Sequence, residues 1–326
     1  MRKAAKVFLS VLLLVVLFSC ERPPTDRVNV VVNPKFTEPN LLYAGLSRGV
    51  FKSTNGGKKW RSINQGMEYA TVFSIVFGAE GSNVIYAGTN RGMYKSDNGG
   101  ENWQTINNEM EFITIFAIAL DPQRPGVICA GTNKGIYRTT DEGKTWRHIE
   151  HGIARRRVHA FIRNPKNPEM LYAGTQIGVY RSSDGGERWR GARRGIEGYT
   201  ADSFALDDQG NFYVGTDRGL FRSNDGESWT LVGTGLETAL VTAIALDSKN
   251  NLIHVGTDRG LFRNAEGETW QAITEGPLAN TPILSLLLDP QNSNRVYAGT
   301  DKGFFQSAGQ GEKWRDTSRG LPSILD

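Results

Sequence analysis

From residue 28 onward, apolar residues gather in short bursts of four to seven positions, each closed off by Gly, Asn, Asp or Pro. VIYAGT (84–89), MYKS (93–96), WQTIN (103–107) and FAIALDP (116–122) are representative. Bursts of this length between turn formers read as β-strands.

The bursts recur at a fixed interval. All seven tryptophans occupy one position of a repeating unit: Trp60, Trp103, Trp146, Trp189, Trp229, Trp270 and Trp314, spaced by 43, 43, 43, 40, 41 and 44 residues. The octapeptide GTDRGLFR even appears twice, at 215–222 and 256–263. Each unit holds about four strands, and that count at this period is the signature of a β-propeller. The expectation is therefore an all-β, seven-bladed propeller with four antiparallel strands per blade. One blade cannot bury both faces of its sheet alone, so 28–326 should form one domain. No strand is left over for a swapped closure, so the first and last blades are expected to meet by packing alone.

Two glycine positions carry the hairpins. Gly49, Gly92, Gly135, Gly178, Gly219, Gly260 and Gly303 follow the second strand. They are expected to close a three-residue loop with a left-handed residue, which glycine adopts without a Cβ clash. The hairpin between the third and fourth strands reads STNGGKKW (53–60), SDNGGENW (96–103), TTDEGKTW (139–146) and SSDGGERW (182–189). A short carboxylate or amide there can bond the backbone of its own turn.

These segments resemble the Asp-box, or BNR, repeat, [S/T]-x-[D/N]-x-G-x-x-W, in all seven units. Units 5 and 6 have lost a residue (SNDGESW, 223–229; NAEGETW, 264–270), and unit 7 has Gly309 in place of the acid; altered turns are expected there. In that family the box is a structural turn, so its acids are not expected to be catalytic.

The first twenty residues break the pattern. MRKAAK is basic, VFLSVLLLVVLF is apolar, and Ser19-Cys20 follows. Twelve apolar residues are short for a bilayer span and suit an export leader. Leu17-Phe18-Ser19-Cys20 resembles the bacterial lipoprotein box, which implies a signal peptide over 1–20 with lipid on Cys20 and a linker over 21–27. The expected location is exported, lipid-anchored to a bacterial membrane. Cys129 is then the one remaining thiol and cannot form an intramolecular disulfide. It sits where equivalent segments mostly carry Tyr, as an apolar filler.

Composition narrows the function. The chain has 38 Gly and is 22% charged and 39% hydrophobic, which fits a turn-rich globular protein rather than a helical bundle or a disordered chain. Four His show no metal-ligand spacing, no Cys pair supports zinc, and the glycines belong to hairpins rather than a phosphate loop. No metal or cofactor is expected, and no catalytic residue. Glycoside hydrolysis needs two placed carboxylates or, in sialidases, a Tyr nucleophile with an acid. Glu68-Tyr69 and Glu197 near Tyr199 are the candidate pieces, both in connections between units. No unit exceeds the period enough to add a pocket loop. Asp121, Asp207, Asp247 and Asp289 read as turn residues on the opposite face.

The charge is uneven. Net charge is +4, yet residues 151–200 hold ten Arg/Lys against four Asp/Glu. In an up-and-down blade the turn between strands two and three shares a face with the connection to the next blade. The turn tips are Arg48, Arg91, Lys134, Ile177, Arg218, Arg259 and Lys302, and the connections add Arg155, Arg156, Arg157, Arg193 and Arg194 to that face. Clustered arginines attract anionic partners and pair bidentately with carboxylates. Nucleic acid is not expected, because aromatic interleaving is lacking. The partner expected is an acidic surface of a membrane or exported protein, with an anionic glycan as the second class.

Length, blade number, lipoprotein box and basic sector are together similar to the photosystem II stability/assembly factor family. That resemblance implies an exported, non-enzymatic propeller that helps assemble a membrane complex; the more regular repeats put a photosynthetic client in doubt. The alternative is a glycan-binding or sialidase-like glycan-cleaving propeller.

Overall fold

The computed structural model describes residues 28–32, 38, 40–79, 81–108, 110, 112–153, 155–265, 269–289 and 291–322. The leader (1–20), Cys20 and the linker (21–27) lie outside them. Seven four-stranded antiparallel sheets follow one another in chain order, each built from a single contiguous stretch. Blade 2 is typical, with strands Val72–Phe77, Ile85–Thr89, Gly92–Ser96 and Gln104–Thr105 from the axis outward. The chain is the seven-bladed propeller its period predicts.

Burial explains why the strands look as they do. In blades 1 to 5 the second strand is a compact run such as Ile85–Thr89, buried along its whole length because sheets cover both its faces; in blades 6 and 7 it is longer and its first residues reach solvent. Hydrophobic clusters straddle neighbouring blades. One joins Tyr43, Val50 and Ile63 of blade 1 to Val72, Ile75 and Trp103 of blade 2. The fourth strand is shorter than WQTIN suggests: it spans Gln104–Thr105, and Trp103 lies before it. One more bond, Ile106 N–H to the Met93 carbonyl at 3.0 Å, continues the pairing beyond it.

Tryptophan earns its fixed position by bonding backward. The indole N–H of Trp103 donates to the Ile63 carbonyl of the preceding blade at 2.7 Å, and those of Trp146, Trp229 and Trp270 do the same to Ile106, Ala192 and Val232. Trp189 and Trp314 instead donate within their own turns, to Gly186 and Gly311. At the closing seam the indole of Trp60 donates to Thr317 at 3.2 Å, and its backbone N–H to Arg319 at 3.0 Å. This corrects the expectation of closure by packing alone. Among the described residues no strand is swapped, but blade 1 is hydrogen-bonded to blade 7 by the device that joins internal blades. The connections fit tightly against these tryptophans: a Cβ on Gly152 would sit 1.6 Å from the Trp189 carbonyl oxygen.

The lower face carries the third-to-fourth-strand hairpins. In blade 4, Ser182 Oγ donates to Asp184 Oδ1 and accepts the Gly186 N–H, while Asp184 Oδ1 accepts the Arg188 N–H at 3.0 Å. The shortened turn of blade 5 keeps both roles over one residue fewer, with Ser223 Oγ accepting the Gly226 N–H. In blade 7, where Gly309 replaces the acid, Ser307 Oγ accepts the N–H groups of both Gly309 and Gly311. Residues 266–268 of the blade 6 turn lie outside the described residues. Cys129 is free and fully buried, and burial pushes its thiol up to about 11. That suits a filler rather than a nucleophile.

Candidate functional site

The upper face is formed by the turns between strands two and three and by the connections between blades. The seven tip glycines have φ between 96° and 128°. Each is already paired as the first residue of its third strand, so two residues, rather than three, separate the paired ends, as Asn90 and Arg91 separate Thr89 from Gly92. The tips are stiff. Thr89 Oγ1 donates to the Gly92 carbonyl and accepts the Arg91 N–H, and Thr132, Thr216, Thr257 and Thr300 hold Lys134, Arg218, Arg259 and Lys302 in the same way. In blade 1, where Leu46 replaces the threonine, the tip is held by Asn64, which bonds the Arg48 carbonyl and the Val50 N–H as Asn107 bonds the tip of blade 2 beside Thr89. All six basic tips, Arg48, Arg91, Lys134, Arg218, Arg259 and Lys302, are exposed, with Ile177 as the apolar seventh.

The connections bring the arginine sector to those tips. Arg155 backbone packs on the tip of blade 3, 3.2 Å from where a Gly135 Cβ would stand, and Arg193 packs likewise on the tip of blade 4. Arg155 and Arg194 are exposed; Arg156, Arg157 and Arg193 are half-buried. Arg157 lies over the Phe116 ring at 5.6 Å, and Arg193 lies over Tyr180 at 5.3 Å while donating to its hydroxyl. Arg218 covers Tyr199 at 5.2 Å. Among the described residues, none of Arg155, Arg156, Arg157, Arg193 and Arg194 forms an ion pair with a carboxylate. The acids of this face turn to backbone instead. Glu68, Glu197 and Glu237 accept the N–H groups of Gly66, Gly195 and Gly235, and Asp217 and Asp258 accept those of Thr200 and Leu240. Bonding to its own N–H and to that of Gly66 holds the Glu68 carboxyl below its ordinary range. The basic residues do not form one cluster. Lys134, Arg155–Arg157, Arg193–Arg194 and Arg218 share the sector of blades 3 to 5, while Arg48, Arg91, Arg259 and Lys302 belong to the rest of the ring.

A second feature lies at the axis and was not anticipated. The pairing of the first two strands skips one residue in every blade, a β-bulge at Asn29, Phe73, Phe116, His159, Asp202, Thr242 and Leu284. Bulges redirect a side chain, and four of these residues meet around the axis. Phe73 lies 5.4 Å from Phe116, Phe116 stacks on His159 at 6.2 Å, and His159 Nδ1 is 2.8 Å from Asp202 Oδ1. His159 and Asp202 are buried, and His159 Nε2 and Asp202 Oδ2 have no hydrogen-bond partner. The signal in the sequence was faint: a polar or aromatic residue at the second position of the first strand in six of the seven blades, with Leu284 in the seventh. Asp202 is the one carboxylate of this ring. Tyr69 and Tyr199, the other candidates, do not approach it: Tyr69 is exposed and Tyr199 packs on Phe221. Among the described residues, no group of three or more His, Cys, Asp or Glu could hold a metal.

Residues 108–325, blades 3 to 7, match the profile of a family described as HVO_0234-like beta propeller. No curated protein matches the chain by sequence. Solved structures share the fold. A GH74 enzyme from Niastella koreensis is similar at 15% identity and a TM-score of 0.75, over 94% of this chain and 56% of its own. The extracellular domain of BT4673 from B. thetaiotaomicron is similar at 18% identity and a TM-score of 0.71, over 90% and 40%. YCF48 bound to a D1 peptide is similar at 17% identity and a TM-score of 0.66, over 87% and 92%. The chain spans about half the length of the GH74 enzymes it resembles.

Proposed function

We propose, on the premise that this chain belongs to the HVO_0234-like β-propeller family, that it is a non-catalytic binding scaffold whose upper face docks an acidic protein surface during assembly of a membrane complex. The observation that carries this reading is the sector of Arg155, Arg156, Arg157, Arg193 and Arg194, which has no carboxylate partner among the described residues. Clustered cations repel one another in the folded state and draw anionic partners, and Arg presents a fork suited to carboxylates. The six basic tips widen the same positive face. The fold of YCF48, a protein captured with a peptide, is consistent with a propeller of this size binding protein segments.

The domain reading completes the proposal. Residues 1–20 act as an export leader, Cys20 carries the lipid, and 21–27 link it to the propeller, placing the protein on the outer side of a bacterial membrane. A glycan-cleaving role has less support, because hydrolysis uses two carboxylates or, in sialidases, a Tyr with an acid, and the bulge residues of the axial ring offer Asp202 alone, already in contact with His159, and no Tyr.

The test is capture from detergent-solubilised membranes, comparing wild type with Arg155→Glu/Arg194→Glu. Both side chains are exposed, so the fold should tolerate the reversal. Specific membrane proteins retained by wild type and lost by the variant would support docking through this sector. Equal recovery by both would overturn it.

A further inference from the structure

Three successive connections leave large side chains in a conformation that folding does not ask for. Each connection drops a buried anchor into the interblade core (Met67, Met110, Ile153, Ile196 and Leu278 among them) and turns tightly just after it. In five of the six connections the backbone two residues past the anchor is left-handed, at Tyr69 (φ 62°), Phe112 (60°), Arg155 (57°), Gly198 (79°) and Asn280 (54°); after Leu236 the same turn closes with Thr238 outside that region. The turn closes from the anchor carbonyl to the N–H three residues on, as from Met110 to Ile113 and from Ile196 to Tyr199. Gly and Asn are the residues this conformation favours, and bulky side chains are outliers in it. Blades 5 and 7 use the unstrained choice. The connections into blades 2 and 3 use aromatics, and these are left in water: Tyr69 is 82% and Phe112 84% exposed. Strain kept at an aromatic this exposed points to a surface outside the chain.

We infer that this arc of the upper face lies on an anionic bilayer, with Tyr69 and Phe112 entering the headgroup region and Arg155 beside them on the lipid phosphates. Two further observations favour lipid. The first strand starts at Val28, which pairs with Leu46 beside the Arg48 tip, so the chain from the apolar run Val7–Phe18 joins the propeller on this face. Residues 21–27 span at most about 25 Å when extended, which keeps this face near the membrane that the leader addresses. The chemistry is also that of an interface: aromatic rings settle at headgroup level and juxtamembrane cations are drawn to anionic lipid. The inference rests on the reading of the upper face as the docking face and adds what lies against it, so that the partner would be met at the membrane surface.

The test uses the full chain reconstituted in vesicles of phosphatidylcholine alone or with three-tenths phosphatidylglycerol, read by amide hydrogen exchange. With phosphatidylglycerol, exchange around Tyr69, Phe112 and Arg155 should slow by at least about fivefold, the gain from one cation engaged at an anionic surface. The hairpins at Asp97 and Asp184 on the lower face should be unchanged. Tyr69→Asn/Phe112→Asn should abolish the slowing without lowering the melting temperature, since Asn280 already occupies this turn position. Equal exchange in both vesicle types, or slowing that survives in the double variant, overturns the inference. Partner capture in detergent contains no bilayer, so its outcome separates a failure here from a failure of the scaffold reading.

Discussion

The two faces of this ring use the same residue types for opposite ends. On the lower face, polar side chains turn back onto the chain: Ser182 and Asp184 close their own hairpin, and Arg61, Arg147 and Arg190 reach across to Glu101, Glu187 and Glu227 of the next blade. On the upper face the carboxylates bond backbone while Arg155 and Arg194 are left exposed, and two aromatics stand in water on left-handed backbone. Cohesion therefore resides in the lower face and the interblade core. The upper face can be rewritten without dismantling the ring, which is what a docking surface in a repeat fold requires.

The sharpest way to break this contrast is at the core between blades. Trp60 is 2% exposed and meets Phe304 edge-on at 5.0 Å across the seam. Trp60→Ala should cost about 3–5 kcal/mol, read by urea unfolding, and should match Trp103→Ala at an internal junction. A markedly smaller loss at Trp60 would make the seam a weaker joint than its bonds imply.

A middle-sized effect tests the lower face. Asp184→Ala removes an acceptor of backbone N–H groups and should cost about 1–2 kcal/mol, with partner capture unchanged. This face should also set the acid limit. Burial alone would raise the Asp184 carboxyl, but the Arg188 N–H, the Ser182 hydroxyl and the Glu187 N–H outweigh it and hold the group low. The Thr139 hydroxyl, with the N–H and hydroxyl of Thr145, brings Asp141 to about 2. Because the folded values lie below the unfolded ones, these groups stabilise fully above the ordinary aspartate value of about 3.9. That stability drains away as pH falls through the folded values. Thermal melts from pH 5 to pH 2 should show the decline, and Asp184→Ala should make it shallower.

The smallest effect has the opposite sign and belongs to the upper face. Phe112→Asn should raise stability by about 0.5–1 kcal/mol by relieving the left-handed backbone. A loss on calorimetry would mean that Phe112 is supported by its own fold after all.

These contrasts differ in how far they could be read beforehand. Blade number, strand order and the hairpin glycines were legible because they recur seven times, and the spacing of seven tryptophans leaves little freedom. The axial ring was not. A bulge moves one residue out of the period-two count, so His159 and Asp202 read as an ordinary strand residue each until the pairing showed them facing one another. Tyr69 and Phe112 hid for a different reason. Tyr69 read as a candidate piece of a hydrolytic site and Phe112 carried no signal of its own, and only the left-handed φ and the exposure separate them from Met67 and Met110 two residues earlier. The arginine sector was visible as composition, while the engagement of its neighbouring acids with backbone amides depended on geometry.

Each sheet is finished by one uninterrupted stretch of chain, the seam included. The ring is thus a closed string of equivalent links in which no link is privileged as first or last. Joining Val28 to the end of blade 7 and opening the chain at any other connection would leave all seven sheets whole. The same property lets such rings arise by copying a link, and the octapeptide shared by blades 5 and 6 fits that kind of ancestry.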